Sequence, residues 1–339
     1  MFEYLIKRLG LALLTLFIIM MVSYFLLRLA PGDPTRSSIM DDNAAASQLS
    51  SEKGALGGNI ALRKKLHLDK PVYIGFFYWF KGVVLHADFG SSASIDPGRP
   101  VVDIIMERLP VTVKLNFFAV CIIYILAIPL GVYSSIYPDT AFDRSTTFIL
   151  FFLYSLPGMW VALLLQAYLC KGGLYPIFPL AGLTPDNPES LSSWQLLWQT
   201  AKHYVLPVIC LSYAGFAGIS RFARSSMLEV VNKEYIRMAR AKGLPEHIVI
   251  FKHALRNGMI TLITLFAGLL PGLVAGSIIV EYVFNIPGMG SLSLLSLNSR
   301  DYPVQMALFC FGGALTLGGI MLADMLYVAV DPRIKFAKQ

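Results

Sequence analysis

The sequence predicts an all-α polytopic membrane protein with six transmembrane helices, on three observations. The chain has 339 residues, of which 56% are hydrophobic and 14% charged, against roughly 25% charged in a soluble protein, and its mean hydropathy is +0.62. Residues 9–27, 115–137, 145–170, 204–220, 257–280 and 302–323 contain no Asp, Glu, Lys or Arg, and about 20 such residues cover the hydrocarbon of a bilayer. Lys and Arg concentrate in alternate short connections, which sets a direction across the membrane.

Taken in order, the first run follows Lys7 and Arg8. Arg28 and Pro31 stand where a cleaved signal would need small residues, so residues 1–30 are expected to stay as an anchor span. Residues 31–110 follow as an extracytoplasmic segment. Within it, residues 37–59 are polar and Gly/Ser-rich, as in a loop. Tyr73, Phe76, Phe77, Phe80 and Val84 then recur at three- and four-residue spacing, which predicts an amphipathic helix lying along the outer membrane face. Residues 111–330 hold the other five spans, and residues 331–339 form a tail.

With the N-terminus inside, the inner segments carry Lys7, Arg8, Arg144, the eight Lys and Arg of residues 221–256, and Arg333, Lys335 and Lys338. Both termini are therefore expected in the cytoplasm. The net charge of +7 reflects this bias and anionic headgroups, and no nucleic-acid partner is expected. Trp194 and Trp198, one helical turn apart in an outer connection, suit an aromatic belt. Pro129, Pro157, Pro207 and Pro271 fall inside spans, where neighbours can satisfy the freed carbonyls. Gly268, Gly272 and Gly276 mark a face open to close helix approach.

Nothing in the chain supplies catalysis. There is no G-x-x-x-x-G-K-[ST] phosphate loop and no H-E-x-x-H. The fragment "GMGS" (residues 288–291) lacks the order of a serine elbow. The histidines (67, 86, 203, 247 and 253) are scattered, and Cys121, Cys170, Cys210 and Cys310 show no metal or redox spacing. The reading is of a non-enzyme that binds no cofactor or metal. Lys114, Glu281 and Asp324 are ionisable groups near the ends of runs. Lys114 opens the second span and Glu281 closes the fifth, so both reach similar depth. A pair is expected there, because a lone charge is expensive.

Residues 221–257 form a basic connection with its own design. Good helix formers run through residues 227–242, and Gly243 then sits where a helix C-terminus favours a residue free of a Cβ penalty. Pro245 suits the start of a second helix carrying Ile248, Phe251, His253 and Leu255. Ala239, Ala241 and Gly243, flanked by Tyr235 and Ile236, make a small-residue knuckle suited to a partner's cleft.

That connection resembles the cytoplasmic coupling loop of ABC-transporter permeases of the dipeptide/oligopeptide/nickel branch. Ala239, Gly243 and Leu255 match the general motif, while Arg237 and Arg256 replace its glutamate and final proline. The branch-specific matches cover nearly the whole chain: "LRLAPGDP" from Leu27, "LHLDKPVYIGFFYWF" from Leu66, "ADFGSS" from Ala87, "ERLPVTVKL" from Glu107 and "IPLGVYSS" from Ile128. They continue with "SLPGMWVALLL" from Ser155, "ARAKGL" from Ala239, "KHALRN" from Lys252, "VEYVFNIPGMG" from Val280, "RDYPV" from Arg300 and "LADMLYVAVDPRI" from Leu322. Lys114, where relatives often carry an acid, and the polar insertion at residues 41–58 depart from the pattern.

The resemblance implies an ABC importer permease in the bacterial plasma (inner) membrane, paired with a second, homologous permease. Two ATPase subunits that use ATP and an extracytoplasmic solute-binding protein complete the assembly. It implies ATPase coupling through Glu234, Tyr235, Ala239, Ala241 and Gly243, and short peptides as solutes. A nickel chelate or a glutathione-type solute are alternatives within the branch; an ATP-independent secondary transporter is an alternative outside it.

Overall fold

The first, second, fourth and sixth apolar runs fall in helices that extend past the runs themselves. The computed structural model describes residues 2–29, 69–185, 187–258 and 272–330, and the regular structure among them is helical. The polar stretch at residues 37–59, the insertion at 41–58, most of the fifth run with Gly268 and Pro271, and the tail at 331–339 lie outside the described residues. Among the described residues, four helices are long and apolar enough to cross a membrane, or five spans if one bent pair counts as a span. The chain divides into two compact units, Met1–Pro110 with Ser291–Leu317 and Val111–Gly290 with Gly318–Gln339.

The first unit contains α1 (Phe2–Leu29), α2 (Val72–His86) and the beginning of α3 (Val101–Ile136). It also holds most of α11 (Met289–Asn298) and the first half of α12 (Tyr302–Val330). The aromatic helix predicted from the spacing is α2, but its stripe is divided. Phe76 and Phe80 turn onto α1, with ring centroids 5.9 and 5.2 Å from Phe17, and Phe76 is buried among Tyr24, Met306 and Cys310. Tyr73, Phe77 and Val84, on the other edge of the stripe, remain exposed and available to lipid.

A single carboxylate closes this unit. Asp301, wholly buried, accepts from Ser92 Oγ at 2.5 Å and from the N–H groups of Ala93, Ser94 and Ile95 at 3.0, 2.9 and 3.1 Å. The segments "ADFGSS" and "RDYPV" are thus the two halves of one contact.

The second unit is built from the rest of α3, α4 (Ala141–Ser155), α5 (Gly158–Leu169) and α6 (Ser193–Val231). Large apolar side chains on α3 and α4, among them Phe117, Ile125, Phe148 and Phe152, point outward. A soluble surface rarely carries so wide an apolar band, and a lipid environment suits it.

Three expectations change in this unit. The run at residues 145–170 is not one helix: α4 and α5 meet at 95°. Pro157 disfavours the helical region for the residue before it, and Leu156 is extended at φ −76°, ψ 130°. Its carbonyl is recovered by the Tyr213 hydroxyl of α6 at 2.9 Å. Pro129 and Pro207 lie within unbroken helices. The outer connection predicted around Trp194 and Trp198 is the opening of α6, whose 39 residues extend about 58 Å at 1.5 Å per residue. At the other end α6 runs on to Val231, so the basic connection begins as a continuation of the fourth span.

The close approach of α3 and α6 depends on Gly131. A Cβ there would fall 2.5 Å from the Ser220 carbonyl oxygen and 2.7 Å from Ala223 Cβ, well inside van der Waals contact. That distance is why "IPLGVYSS" carries a glycine at this position.

Asp301→Ala leaves the donors of residues 92–95 without their acceptor, and each such buried group costs about 1–3 kcal/mol. The thermal midpoint in detergent should fall by several degrees, and Asp301→Asn, which keeps one carbonyl oxygen, by less. Equal midpoints for wild type and Asp301→Ala would remove this contact from the account of the unit's stability.

Candidate coupling site

The basic connection folds as a helix–turn–helix seated on the second unit. α6 ends at Asn232, whose side-chain amide donates to the Leu228 carbonyl at 2.9 Å. Lys233 is extended, at φ −71° and ψ 150°, and α7 (Glu234–Ala241) begins after it. The single helix expected over residues 227–242 is therefore two, because Asn232 turns its amide onto the last turn of α6. Glu234 in the first turn of α7 and Arg240 in the last both complement the helix dipole.

Gly243 follows with φ +75°, in the left-handed region that glycine adopts without penalty. A Cβ at Gly243 would meet nothing within 4 Å, so the demand for glycine comes from backbone conformation and not from crowding. Pro245 then caps α8 (Glu246–Ile248), which continues as a π-helical stretch, Val249–Ala254. Arg240 clamps the turn by donating to both Glu246 oxygens, at 3.2 and 2.7 Å. This bond, more than any other influence, holds the Glu246 carboxyl below its ordinary value, against a smaller effect of burial.

The sequence-predicted coupling residues divide between two faces. Ile236 is fully buried and Ala239 is buried beside it, packed with Val132, Met227, Val249, Ile250 and Ala254. Ala239 thus seats α7 on the bundle and is not part of the exposed knuckle, and Ile236 likewise leaves the outer edge. Glu234, Tyr235, Ala241 and Gly243 are exposed, and Met238 and Leu244 join them. The outer face is mixed, with apolar Tyr235, Met238 and Leu244 among Arg237, Arg240 and Lys242. Tyr235 is also tied back, its hydroxyl accepting from the Asn257 amide at 3.1 Å.

Directly behind α7 stands an ion pair that the sequence did not announce. Arg224 of α6 donates through Nε and a terminal nitrogen to the two oxygens of Asp143, both at 2.7 Å. The Ser134 hydroxyl of α3 and the Asp139 N–H at 3.1 Å complete the shell. Asp143 is buried, so α3, α4 and α6 are locked together one turn before Met227. Arg224 counted only as a loop charge in the sequence; the spacing of Thr140 and Asp143, a helix-start pattern in an otherwise apolar region, was the available signal.

The one charge pair that the sequence predicts is not brought together. Lys114 is exposed on α3. Glu281, on α10 (Ile278–Val283) after the short α9 (Gly272–Ala275), is 2% exposed and accepts from the Thr112 hydroxyl at 3.0 Å. Thr112 Oγ1 in turn accepts from the Met289 N–H at 2.8 Å. At Gly288 an added Cβ would lie 2.5 Å from Glu281 Oε2 and 2.6 Å from Thr112 Oγ1. The "GMG" segment is glycine-rich because it closes over this carboxylate.

Long apolar helices with a firmly seated, outward-facing helix–turn–helix define the class as a multi-pass membrane protein. The chain belongs to the family of binding-protein-dependent transport system inner membrane components, whose model matches residues 127–336; the model of that family's N-terminal part matches residues 1–116. It is similar to the oligopeptide transport system permease protein AppB of Bacillus subtilis, 35% identical over 99% of this chain and all of that one. The dipeptide transport system permease protein DppB of Lactococcus lactis is 33% identical over the same shares. Among solved structures, the inward-facing MetNI methionine ABC transporter matches with TM-score 0.53 at 15% identity, covering 68% of this chain and 97% of the matched one, which shows the shared fold. This chain is accordingly a permease subunit of an ABC importer, in the inner membrane.

Removing one partner of a buried ion pair costs about 3–5 kcal/mol, whereas replacing both by apolar groups is often nearly neutral. Asp143→Leu and Arg224→Met should each lower the thermal midpoint in detergent strongly, and the double variant should recover most of the loss. Additive losses would show that the pair is not a coupled unit.

Proposed function

We propose that this chain forms half of the pathway of an ATP-driven importer of short peptides and transmits the ATPase stroke through α7 and its turn. The observation that carries this reading is the division of α7 into a buried face and an exposed one. Ile236 and Ala239 fix it to α3, α6 and the π-helical stretch, while Glu234, Tyr235, Ala241 and Gly243 remain open to a partner. A helix held this way moves the bundle when it is moved.

The partners of this reading are a second, homologous permease forming a heterodimer, two ATPase subunits that hydrolyse ATP, and an extracytoplasmic solute-binding protein. The chain itself contributes pathway and coupling. The termini and residues 221–257 face the cytoplasm and residues 31–110 the opposite side, with six spans between, which the Lys/Arg distribution supports. ATP-driven closure of the ATPase pair would draw the two permeases' docking helices together and rock the spans about a central cavity. The Asp143–Arg224 lock would carry that displacement into α3 and α4 as well as α6. Peptides are favoured as solutes because the two relatives above are named for oligopeptide and dipeptide transport.

Two measurements test this. Cells lacking the chain should lose uptake of a labelled di- or oligopeptide while nickel accumulation stays normal; the reverse pattern would overturn the solute and leave the permease standing. Gly243→Val should insert at the wild-type level but lose peptide uptake and peptide-stimulated ATP hydrolysis by roughly tenfold or more, the equivalent of ~1.4 kcal/mol. Gly243→Asn, which tolerates the left-handed conformation better, should retain more of both. Wild-type coupling in Gly243→Val would refute the role of the turn.

A further inference from the structure

The interface of α4 and α6 is pinned at two levels and open between them. Arg224 grips Asp143 near the end that carries α7, and the Tyr213 hydroxyl donates to the Leu156 carbonyl at the far end of α4. Between these ties lies a cavity of about 650 Å³. Its lining is graded along the helices. Thr147 of α4 and Arg221 and Ser225 of α6 occupy the end nearer α7, with Phe222 between the last two, and Phe151 and Tyr154 supply an aromatic wall further along α4.

Two features say that the space is built for an occupant. Arg224 borders the cavity but is committed to Asp143, whereas Arg221, one turn away, has no ion-pair partner among the described residues. Gly218 also lines the cavity, and a Cβ there would meet nothing within 4 Å, so the floor is open where a larger side chain could have filled it. One arginine not engaged in an ion pair, with two hydroxyls at one end and the Phe151 and Tyr154 rings further along α4, has the polarity of a phospholipid. The guanidinium fork matches phosphate oxygens. Basic pockets between helices on the cytoplasmic side are suited to anionic headgroups, and the volume is that of a small-molecule site and too little for a partner's helix.

We propose that this cavity holds an anionic membrane phospholipid. Its headgroup phosphate sits on Arg221 with the Thr147 and Ser225 hydroxyls, and an acyl chain lies along Phe151 and Tyr154. The assignment rests on the reading that the end carrying α7 faces the cytoplasm.

The test is lipid retention by the full chain, purified in mild detergent and measured by native mass spectrometry after exposure to phosphatidylglycerol or phosphatidylcholine. Wild type should retain about one phosphatidylglycerol per chain in preference to phosphatidylcholine. Arg221→Gln should reduce retention by roughly tenfold, as expected for one charge-assisted contact, and Arg221→Lys should restore part of it. Gly218→Leu fills the floor while improving helix propensity, so it should expel the lipid from a folded chain. Unchanged retention in Arg221→Gln or Gly218→Leu overturns the site. Displacement by millimolar inorganic phosphate alone would show a free-anion site, and efficient cross-linking of Phe222→Cys to a second permease would show a protein occupant; either overturns the lipid assignment. Lipid retention is read without transport, so loss of peptide uptake with retention unchanged would count against the proposed function and leave this site standing, whereas loss of retention with uptake unchanged would leave the proposed function standing.

Discussion

Burying a carboxylate without water requires donors aimed at it, and this fold is organised around three places where that requirement is met. Asp143, Glu281 and Asp301 are 3%, 2% and 0% exposed. Each is reached by a group far away in the chain: Arg224 lies 81 positions from Asp143, Thr112 is 169 from Glu281, and Ser92 is 209 from Asp301. Between apolar helices in lipid there is little hydrophobic driving force, so apolar contact alone specifies register poorly. A carboxylate with directed donors specifies it well, because a slip by one residue strands a charge. Two of these contacts organise the second unit and the third closes the first.

Around them, packing is set by small residues and by one deliberate break. Gly131 lets α3 lie against the backbone of α6, and Gly288 lets the "GMG" segment close over Glu281, with no room for a Cβ at either. Pro157 does the opposite, parting α4 from α5 and turning the chain by 95°. That turn exposes a carbonyl, which Tyr213 then takes. The break and the hydroxyl are a matched pair, in keeping with the rule that backbone polar groups at membrane depth must find a partner.

The helix–turn–helix inherits its rigidity from this frame. α7 is short, and a helix of this length is marginal in isolation; its order comes from Ile236 and Ala239 packing against Met227, Val249 and Ala254. Arg240 and Glu246 brace the turn at its outer edge, an exposed pair worth no more than about 1 kcal/mol. The apolar seat therefore dominates the stability of the element, and the charged rim is free to serve recognition.

The features legible in the sequence were those set by local energetics. Transfer cost fixes where charge-free runs must lie, and Gly243 marks its turn because only its own φ matters. The aromatic spacing of α2 was visible for the same reason. What depends on which distant residue arrives opposite could not be read this way. Glu281 was paired with Lys114 by depth, yet Thr112, two positions earlier, presents its hydroxyl to the carboxylate while Lys114 turns outward. Ala239 matches a docking motif, but it packs inward with Val132, Met227 and Ala254, which only the arrival of those residues beside α7 decides. Pro129, Pro157 and Pro207 look alike along the chain, and only the folded bundle shows that the helix breaks at Pro157, where Tyr213 stands ready to take the freed carbonyl. The sequence by itself determined depth, charge and the special backbone turn, because each is a property of a residue and its near neighbours. The tertiary structure decided partners and facing, because those are properties of pairs brought together by the fold.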